Sequence, residues 1–194
     1  LPVLSKAFKS KSIKKLRNIQ SKSFELSLLL SIPASVGLIL ASEEIVNALF
    51  GYGTFSKGDV KLTADALKYF GYGVPAFALV KILSNFFFAR DNTKTPFYIS
   101  IVIVVINISI SVSLFPTFGF IIIPIATSLA TWAGVLIYIY LLNKKKSLLL
   151  KIELIPNLIK ILSSTIIMSF ILVLALNNYA SYLNYTYKFK AIYL

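Results

Sequence analysis

The chain has 194 residues, of which 57% are hydrophobic and 14% are charged, and its formal net charge is +13. Because soluble domains carry about 25% charged residues, this composition indicates a protein that folds within a membrane. The sequence contains neither cysteine nor histidine, which excludes disulfides, thiol and Ser-His-Asp catalysis, and zinc sites of the usual ligand sets.

Five apolar runs are long enough to cross a bilayer as helices, at 24–41, 66–89, 96–114, 120–142 and 154–176. At 1.5 Å per residue they cover about 27 to 36 Å, close to the roughly 30 Å of a hydrocarbon core. They do not alternate with period two, as the strands of a membrane barrel would. The sequence therefore predicts an all-α integral membrane protein with five complete transmembrane helices, and a sixth that begins near Ala191.

The segments outside these runs also carry helix signals. Residues 5–20 place apolar side chains among lysines, which predicts a loose amphipathic helix on the membrane surface. Ser42 is the expected N-cap of a short helix through Phe50, and Ser56 with Asp59 matches a capping box that starts the second span's helix early. Because the chain opens at Leu1 in a basic segment, we expect a fragment of a larger membrane protein.

Basic and non-basic connectors alternate along the chain. Segment 5–22 holds seven basic residues and no acid, whereas connector 42–65 holds four acids and two lysines. Basic residues return at 90–95 and at 143–153, while connector 115–119 is uncharged. Since basic loops stay in the cytoplasm, we expect 5–22, 90–95 and 143–153 to be cytoplasmic. The same basic clusters could instead serve to bind anionic membrane lipids.

The seven carboxylates lie at or outside the ends of the apolar runs, so no acidic pair is placed for catalysis or proton relay. We therefore expect no enzymatic activity, metal site or cofactor. The glycine pattern does not extend to GxGxxG, and we expect neither nucleotide nor nucleic acid as a partner.

Polar side chains inside the spans are the candidates for a substrate cavity, because such residues face other helices or water. In the second span, Lys81 and Asn85 fall with Gly71 and Ala78 within a wedge of roughly 80°. Lys81 lies about 12 Å by helical rise from the predicted end of its span, and snorkelling to the surface is the alternative to a cavity position. Asn107 is the third cavity candidate, although the sequence favours an interhelical hydrogen bond for it over contact with a substrate.

Residues in two spans are candidates for helix packing. Ala126, Ala130 and Gly134 follow one another at four-residue spacing in the fourth span. Pro33 in the first span is expected to kink its helix.

The connector FFFARDNTKTP, at 86–96, has two interpretations. In the first it is a turn on the cytoplasmic side, in which Asn92 or Thr93 caps the next helix and Pro96 occupies its first turn. In the second it helps to close an inner gate, where Arg90 and Asp91 bridge to another lobe of the protein. The residues that belong to this turn or gate are Arg90, Asp91, Lys94, Thr95 and Pro96.

Five short stretches follow one another in the order LPVLS (1–5), IPASVGL (32–38), LFGYGTF (49–55), FARDNTKTP (88–96) and ATSL (126–129). Together with Lys81 they resemble the MurJ/MviN family of lipid II flippases in the MOP exporter superfamily. The resemblance implies a two-lobe transporter of fourteen helices, of which this chain is a C-terminal fragment. Residues 1–23 would then be a cytoplasmic segment, 24–142 four helices of the C-terminal lobe, and 143–194 an extra helix and the start of the last.

The resemblance further implies that the parent protein moves an undecaprenyl-linked peptidoglycan precursor from the inner to the outer leaflet of the bacterial inner membrane, by alternating access. Its partners would be that lipid and the missing N-terminal lobe. The family's cavity arginines lie mostly outside this chain, which leaves Lys81 and Asn85 as the positions here that could line the cavity. The alternatives are a polysaccharide-unit flippase or drug exporter of the same superfamily, and a non-transporting membrane scaffold.

Overall fold

The computed structural model describes residues 12–152 and 154–183, and all regular secondary structure in this part of the chain is helical, with no strand. Four stretches are long and apolar enough to cross a membrane, and the stretch at 94–144 contains two helices, so helices occupy all five predicted spans. The expected sixth span lies outside the described residues. The helices are α1 Ile13–Leu40, α2 Ser42–Phe50, α3 Lys57–Phe88, α4 Lys94–Phe118, α5 Ile122–Lys144 and α6 Leu154–Leu183.

Helix α1 begins well before its apolar run. It is continuous for 28 residues, or about 42 Å, from a start at which Ser12 Oγ accepts the Lys15 N–H. Residues 13–20 are thus the first turns of the spanning helix, and the predicted separate surface helix is wrong over this range; residues 5–11 lie outside the described part. The physical reason is that lysine, arginine and glutamine are good helix formers, so hydropathy marks where the apolar environment begins and not where the helix begins.

Ala41 joins α1 to α2 and caps both helices. Its N–H donates to the Gly37 carbonyl, and its own carbonyl accepts the Ile45 N–H. Ser42 is therefore the first residue of α2 and not its cap, and the predicted side-chain cap is wrong because the two helices follow each other without a spacer. The capping box of Ser56 and Asp59 at the start of α3 is confirmed in both of its hydrogen bonds.

Helices α4 and α5 form an antiparallel hairpin. Helix α4 continues through Pro116 to Phe118, so the link predicted at 115–119 is shorter than expected. The chain turns at Gly119, whose φ of +63° is in the left-handed region that favours glycine, and a 3₁₀ turn at Gly119–Ile121 leads into α5.

The five long helices pack in the order α6–α1–α3–α5–α4, so that α3 is flanked by α1 and α5. Aromatic rings fill the seams: Phe24 of α1 lies 5.9 Å from Phe86 of α3, and Phe87 of α3 lies 5.8 Å from Tyr138 of α5, measured between ring centroids. These contacts lie toward one end of the helices, where α1 begins, α3 ends and α5 leads into α6. We call this end, with its connectors 90–93 and 145–152, the basic end.

Candidate functional site

Lys81 lies on the exposed side of α3, the central helix of the row. Its side chain is exposed, as are those of Phe70 and Phe77, which precede it on the same face by eleven and four residues. Within the described part of the chain no ion pair or side-chain hydrogen bond holds Lys81. The flanking helices therefore leave open a face of α3 that carries one positive charge among aromatic side chains.

The residues that the sequence placed on one face of α3 have different surroundings in the structure. Gly71 is buried against α1, where Ser35 Oγ donates to the Gly71 carbonyl at 2.7 Å. A Cβ atom at Gly71 would lie 2.9 Å from Ile39 Cγ1, so this position serves close helix contact. Asn85 is half-buried and lies between the α1 contact and the open face that holds Lys81.

Asn107 connects α4 to α5. Its Nδ2 donates to Thr127 Oγ1 at 2.8 Å, and its Oδ1 accepts from Ser111 Oγ at 3.4 Å. Thr127 Oγ1 in turn donates to the Ile123 carbonyl. This polar chain satisfies both ends of the Asn107 amide within the hairpin, as an interhelical hydrogen bond between membrane helices requires.

The small residues of α5 lie at the interfaces with α3 and α4. Ala126 and Ala130 are fully buried, and Gly134 is in such close contact with Ile103 of α4 that no side chain fits there without movement. Near the same glycine lies Val80 of α3. In α1, Pro33 is half-buried within a helix that continues past it.

The connector after α3 is a compact turn. Asp91 is exposed and has a φ of +56°, and the Asn92 N–H bonds back to the Phe87 carbonyl, which closes the helix. Asn92 Oδ1 accepts the Thr95 N–H at 3.1 Å and its Nδ2 donates to Thr95 Oγ1 at 2.9 Å, so this asparagine caps α4. Pro96 is buried in the first turn of α4, and Lys94 is exposed.

Arg90 points back into the same lobe. Its Nη2 donates to the Ser147 carbonyl at 2.9 Å, and partial burial lowers the pKa of its guanidinium from the usual value. The Ser147 carbonyl also accepts from Gln20 Nε2 at 3.2 Å, while Gln20 Oε1 accepts the Leu149 N–H at 2.8 Å. Thus α1, the connector after α3 and the α5–α6 linker meet at one carbonyl. Of the two proposed gate residues, Arg90 is half-buried and Asp91 is exposed.

Gln20 and Ser147 were not predicted from the sequence. They lie 127 positions apart, and no local pattern connects them. The only available signal was a neutral amide within a basic segment at the start of an apolar run.

The fold and the site together define the class of protein: a multi-pass helical membrane protein whose central helix has an open, positively charged face. The family model described as "Lipid II flippase MurJ" matches residues 1–193. The chain belongs to this family.

Individual relatives agree with the family assignment. The chain is 37% identical over 186 residues to a probable lipid II flippase MurJ of Rickettsia prowazekii (strain Madrid E), covering 94% of this chain and 36% of that protein. It is 36% identical over 132 residues to the probable lipid II flippase MurJ of Rhizobium tropici, covering 68% of this chain and 25% of the relative. The chain thus spans about a third or less of the length of these relatives.

A solved structure has the same fold. The structure titled "Lipid II flippase MurJ, inward closed conformation" superposes with a TM-score of 0.75 at 30% identity, covering 89% of this chain and 35% of that one. The row of helices described above therefore matches about a third of a known membrane transporter.

Proposed function

We propose that this chain is the C-terminal part of a lipid II flippase, which moves the undecaprenyl-linked peptidoglycan precursor from the inner to the outer leaflet of the bacterial inner membrane by alternating access. The family match over residues 1–193 supports this function. The remaining length of the relatives would supply the opposing N-terminal lobe. We place the basic end of the helices on the cytoplasmic side of the membrane, in agreement with the positive-inside rule.

The open face of α3 is the observation that carries the proposal. A charged side chain costs about 2.5 to 3.5 kcal/mol at the centre of a membrane helix, so such residues normally face a watery cavity or another helix. Lys81 is exposed on this face, with both flanks of α3 already occupied by α1 and α5. We assign it to the inner half of the transport cavity, where its charge attracts the diphosphate of the precursor.

The size of this effect follows from Coulomb's law. At an effective dielectric constant of about 20 and a separation of about 8 Å, two unit charges attract by roughly 2 kcal/mol. Loss of the Lys81 charge should therefore reduce flipping by roughly thirtyfold.

The test is complementation of a flippase-depleted strain by the complete gene, together with measurement of lipid II exposed at the outer leaflet. Lys81→Met removes the charge and keeps the apolar stem, and it should weaken both readouts, whereas Lys81→Arg should retain them. Lys68→Met is the matched control, because Lys68 is an exposed lysine on the same helix. Full activity of Lys81→Met would exclude the assigned role of Lys81, and failure of the unmodified gene to complement would exclude the flippase function itself.

A further inference from the structure

One turn of the central helix α3 is hydrogen-bonded to both of its neighbours. Three side chains of α1 and α5 donate to backbone carbonyls of α3, and the pairs are Ser35 with Gly71 at 2.7 Å, Ser128 with Tyr69 at 2.7 Å, and Trp132 with Tyr72 at 3.0 Å. Gly73 leaves room for one of these contacts, since a Cβ atom there would lie 2.6 Å from Ser128 Oγ. The backbone of 69–72 is thus held from two sides.

Pro75, which follows this turn inside α3, explains why one of the carbonyls needs a donor from another helix. Proline has no backbone N–H, so the Gly71 carbonyl, four residues earlier, lacks the donor that a regular helix supplies. Within a membrane an unsatisfied carbonyl is costly, and side chains of neighbouring helices satisfy the carbonyls that proline frees. Ser35 of α1 does so here, and its side chain is buried. This bond therefore compensates for a gap in the hydrogen-bond ladder of α3.

Helix α1 has a proline at the same level. The two helices run antiparallel, because the beginning of α1 packs against the end of α3. Pro33 lies two residues, or about 3 Å, from Ser35 toward the basic end. Pro75 lies four residues, or about 6 Å, from Gly71 in the same direction. The two prolines thus weaken both helices within about 3 Å of one level.

A buried hydroxyl without a partner lies at this level as well. Ser31 is only 5% exposed, and its Oγ has no hydrogen-bond partner within the described part of the chain. It precedes Ser35 by four residues, or about 6 Å, which places it level with Pro75. A buried unpaired hydroxyl costs free energy in the conformation that leaves it unpaired. This is the arrangement expected of a group that finds its acceptor in a second conformation.

We propose that α1 and α3 bend together at this level during transport, with Pro33 and Pro75 as the hinge, and that Ser31 donates to a carbonyl of α3 in the bent state. The inference rests on the proposed transport function and adds a conformational step to it. Hydrogen bonds to 69–72 hold α3 on the outer side of the hinge, whereas packing of aromatic rings, which permits sliding, holds it toward the basic end. Lys81 lies six residues, or about 9 Å, beyond Pro75 on that side, so a bend of about 20° displaces it by about 3 Å.

The first test is Pro75→Ala in the complete protein. Alanine supplies an N–H for the Gly71 carbonyl, and it is favoured over proline in a helix interior by a factor of roughly 100. The purified protein should therefore have a higher Tm, and hydrogen exchange at 76–79 should slow by about tenfold or more. Flipping, measured as lipid II exposed at the outer leaflet, should slow by about tenfold because the hinge is stiffened. A more stable protein that flips at the original rate would overturn the hinge.

Pro116→Ala is the matched control. Pro116 also lies inside a spanning helix, but it is exposed and near the end of α4, away from the hinge. Its replacement should leave the rate of flipping unchanged. Failure of the unmodified gene to flip lipid II would exclude the proposed function, while Tm and hydrogen exchange would still report on the hinge.

The two serines provide a second test that leaves the prolines in place. Ser35→Ala should lower the Tm of the otherwise unmodified protein, and it should lower it no further in the Pro75→Ala background, where the Gly71 carbonyl has its own donor. Ser31→Ala should slow flipping without lowering the Tm, because it removes a hydroxyl that is unpaired in this conformation. Ser109→Ala, at an exposed position of α4, is the control and should change neither. Equal losses from Ser35→Ala in both backgrounds would contradict the role of Pro75, and an undiminished rate in Ser31→Ala would exclude Ser31 as a donor in the bent state.

Discussion

Gln20 should hold the α5–α6 linker against α1. Its side chain is only 1% exposed, and it both donates to the Ser147 carbonyl and accepts the Leu149 N–H. The informative substitution is Gln20→Met, because methionine is similar in length and apolar, so that packing is largely kept while both hydrogen bonds are lost.

The expected cost follows from these two bonds. The Ser147 carbonyl loses the hydrogen bond from Gln20 but keeps the one from Arg90 at 2.9 Å. The loss of this one bond therefore contributes about 0.5 kcal/mol. The Leu149 N–H loses the acceptor that Gln20 provides, and an unsatisfied buried donor costs about 1 to 3 kcal/mol. The free energy of opening the linker should therefore fall by about 1.5 to 3.5 kcal/mol in total.

Hydrogen exchange measures this opening directly. A change of about 1.5 to 3.5 kcal/mol corresponds to roughly 10- to 400-fold faster exchange at Leu149, while amides in the middle of α1 and α5 should change little. Asn18→Met is the control, because Asn18 is a half-buried amide two residues earlier on the same helix with no hydrogen bond to the linker. Unchanged exchange at Leu149 in Gln20→Met would show that the linker is held by other contacts.

Two further substitutions test the helix contacts by thermal unfolding in detergent. Gly134→Ala should destabilise the α4–α5 hairpin by about 1 to 3 kcal/mol, because its Cβ would collide with Ile103. The added substitution Ile103→Ala should recover part of this loss. Equal stability of Gly134→Ala and the parent protein would contradict the close contact. Ser56→Ala should cost about 1 kcal/mol and speed hydrogen exchange in the first turn of α3, because the capping box is lost; unaltered exchange there would show that the cap does not hold this turn.

The sequence predicted the spans well and the helix ends less well, for one physical reason. An apolar run indicates which segment lies in the apolar environment of the membrane, and each of the five predicted runs coincides with a helix of the structure to within two residues at the ends where it extends beyond that helix. Helix ends depend on capping and local backbone, which hydropathy does not report. Ser56 was predicted correctly because its capping box is a local pattern, whereas Ser42 was not, because its role depends on how directly α2 follows α1.

The candidate site shows the same limit at longer range. A helical wheel assigns residues to faces, but it does not report which face another helix covers. The helical wheel places Gly71 and Lys81 on the same face of α3. In the structure, α1 covers Gly71 while Lys81 stays exposed. The contacts of Gln20 depend on residues more than 120 positions away, so they follow from tertiary packing alone.

Lys81 and Lys160 show why depth alone does not assign a role to a membrane lysine. Lys81 lies seven residues before the end of α3 and Lys160 six residues after the start of α6, which places both about 9 to 10 Å from a helix end. Their surroundings differ: Lys160 shares a cleft with Glu25 and Asn157, whereas Lys81 lies on an aromatic face without a carboxylate partner in the described part of the chain. The charge of Lys160 is compensated by the nearby Glu25, while the uncompensated charge of Lys81 attracts an anion. Lys81→Met should therefore impair transport, whereas Lys160→Gln should leave the amount of lipid II exposed at the outer leaflet largely unchanged.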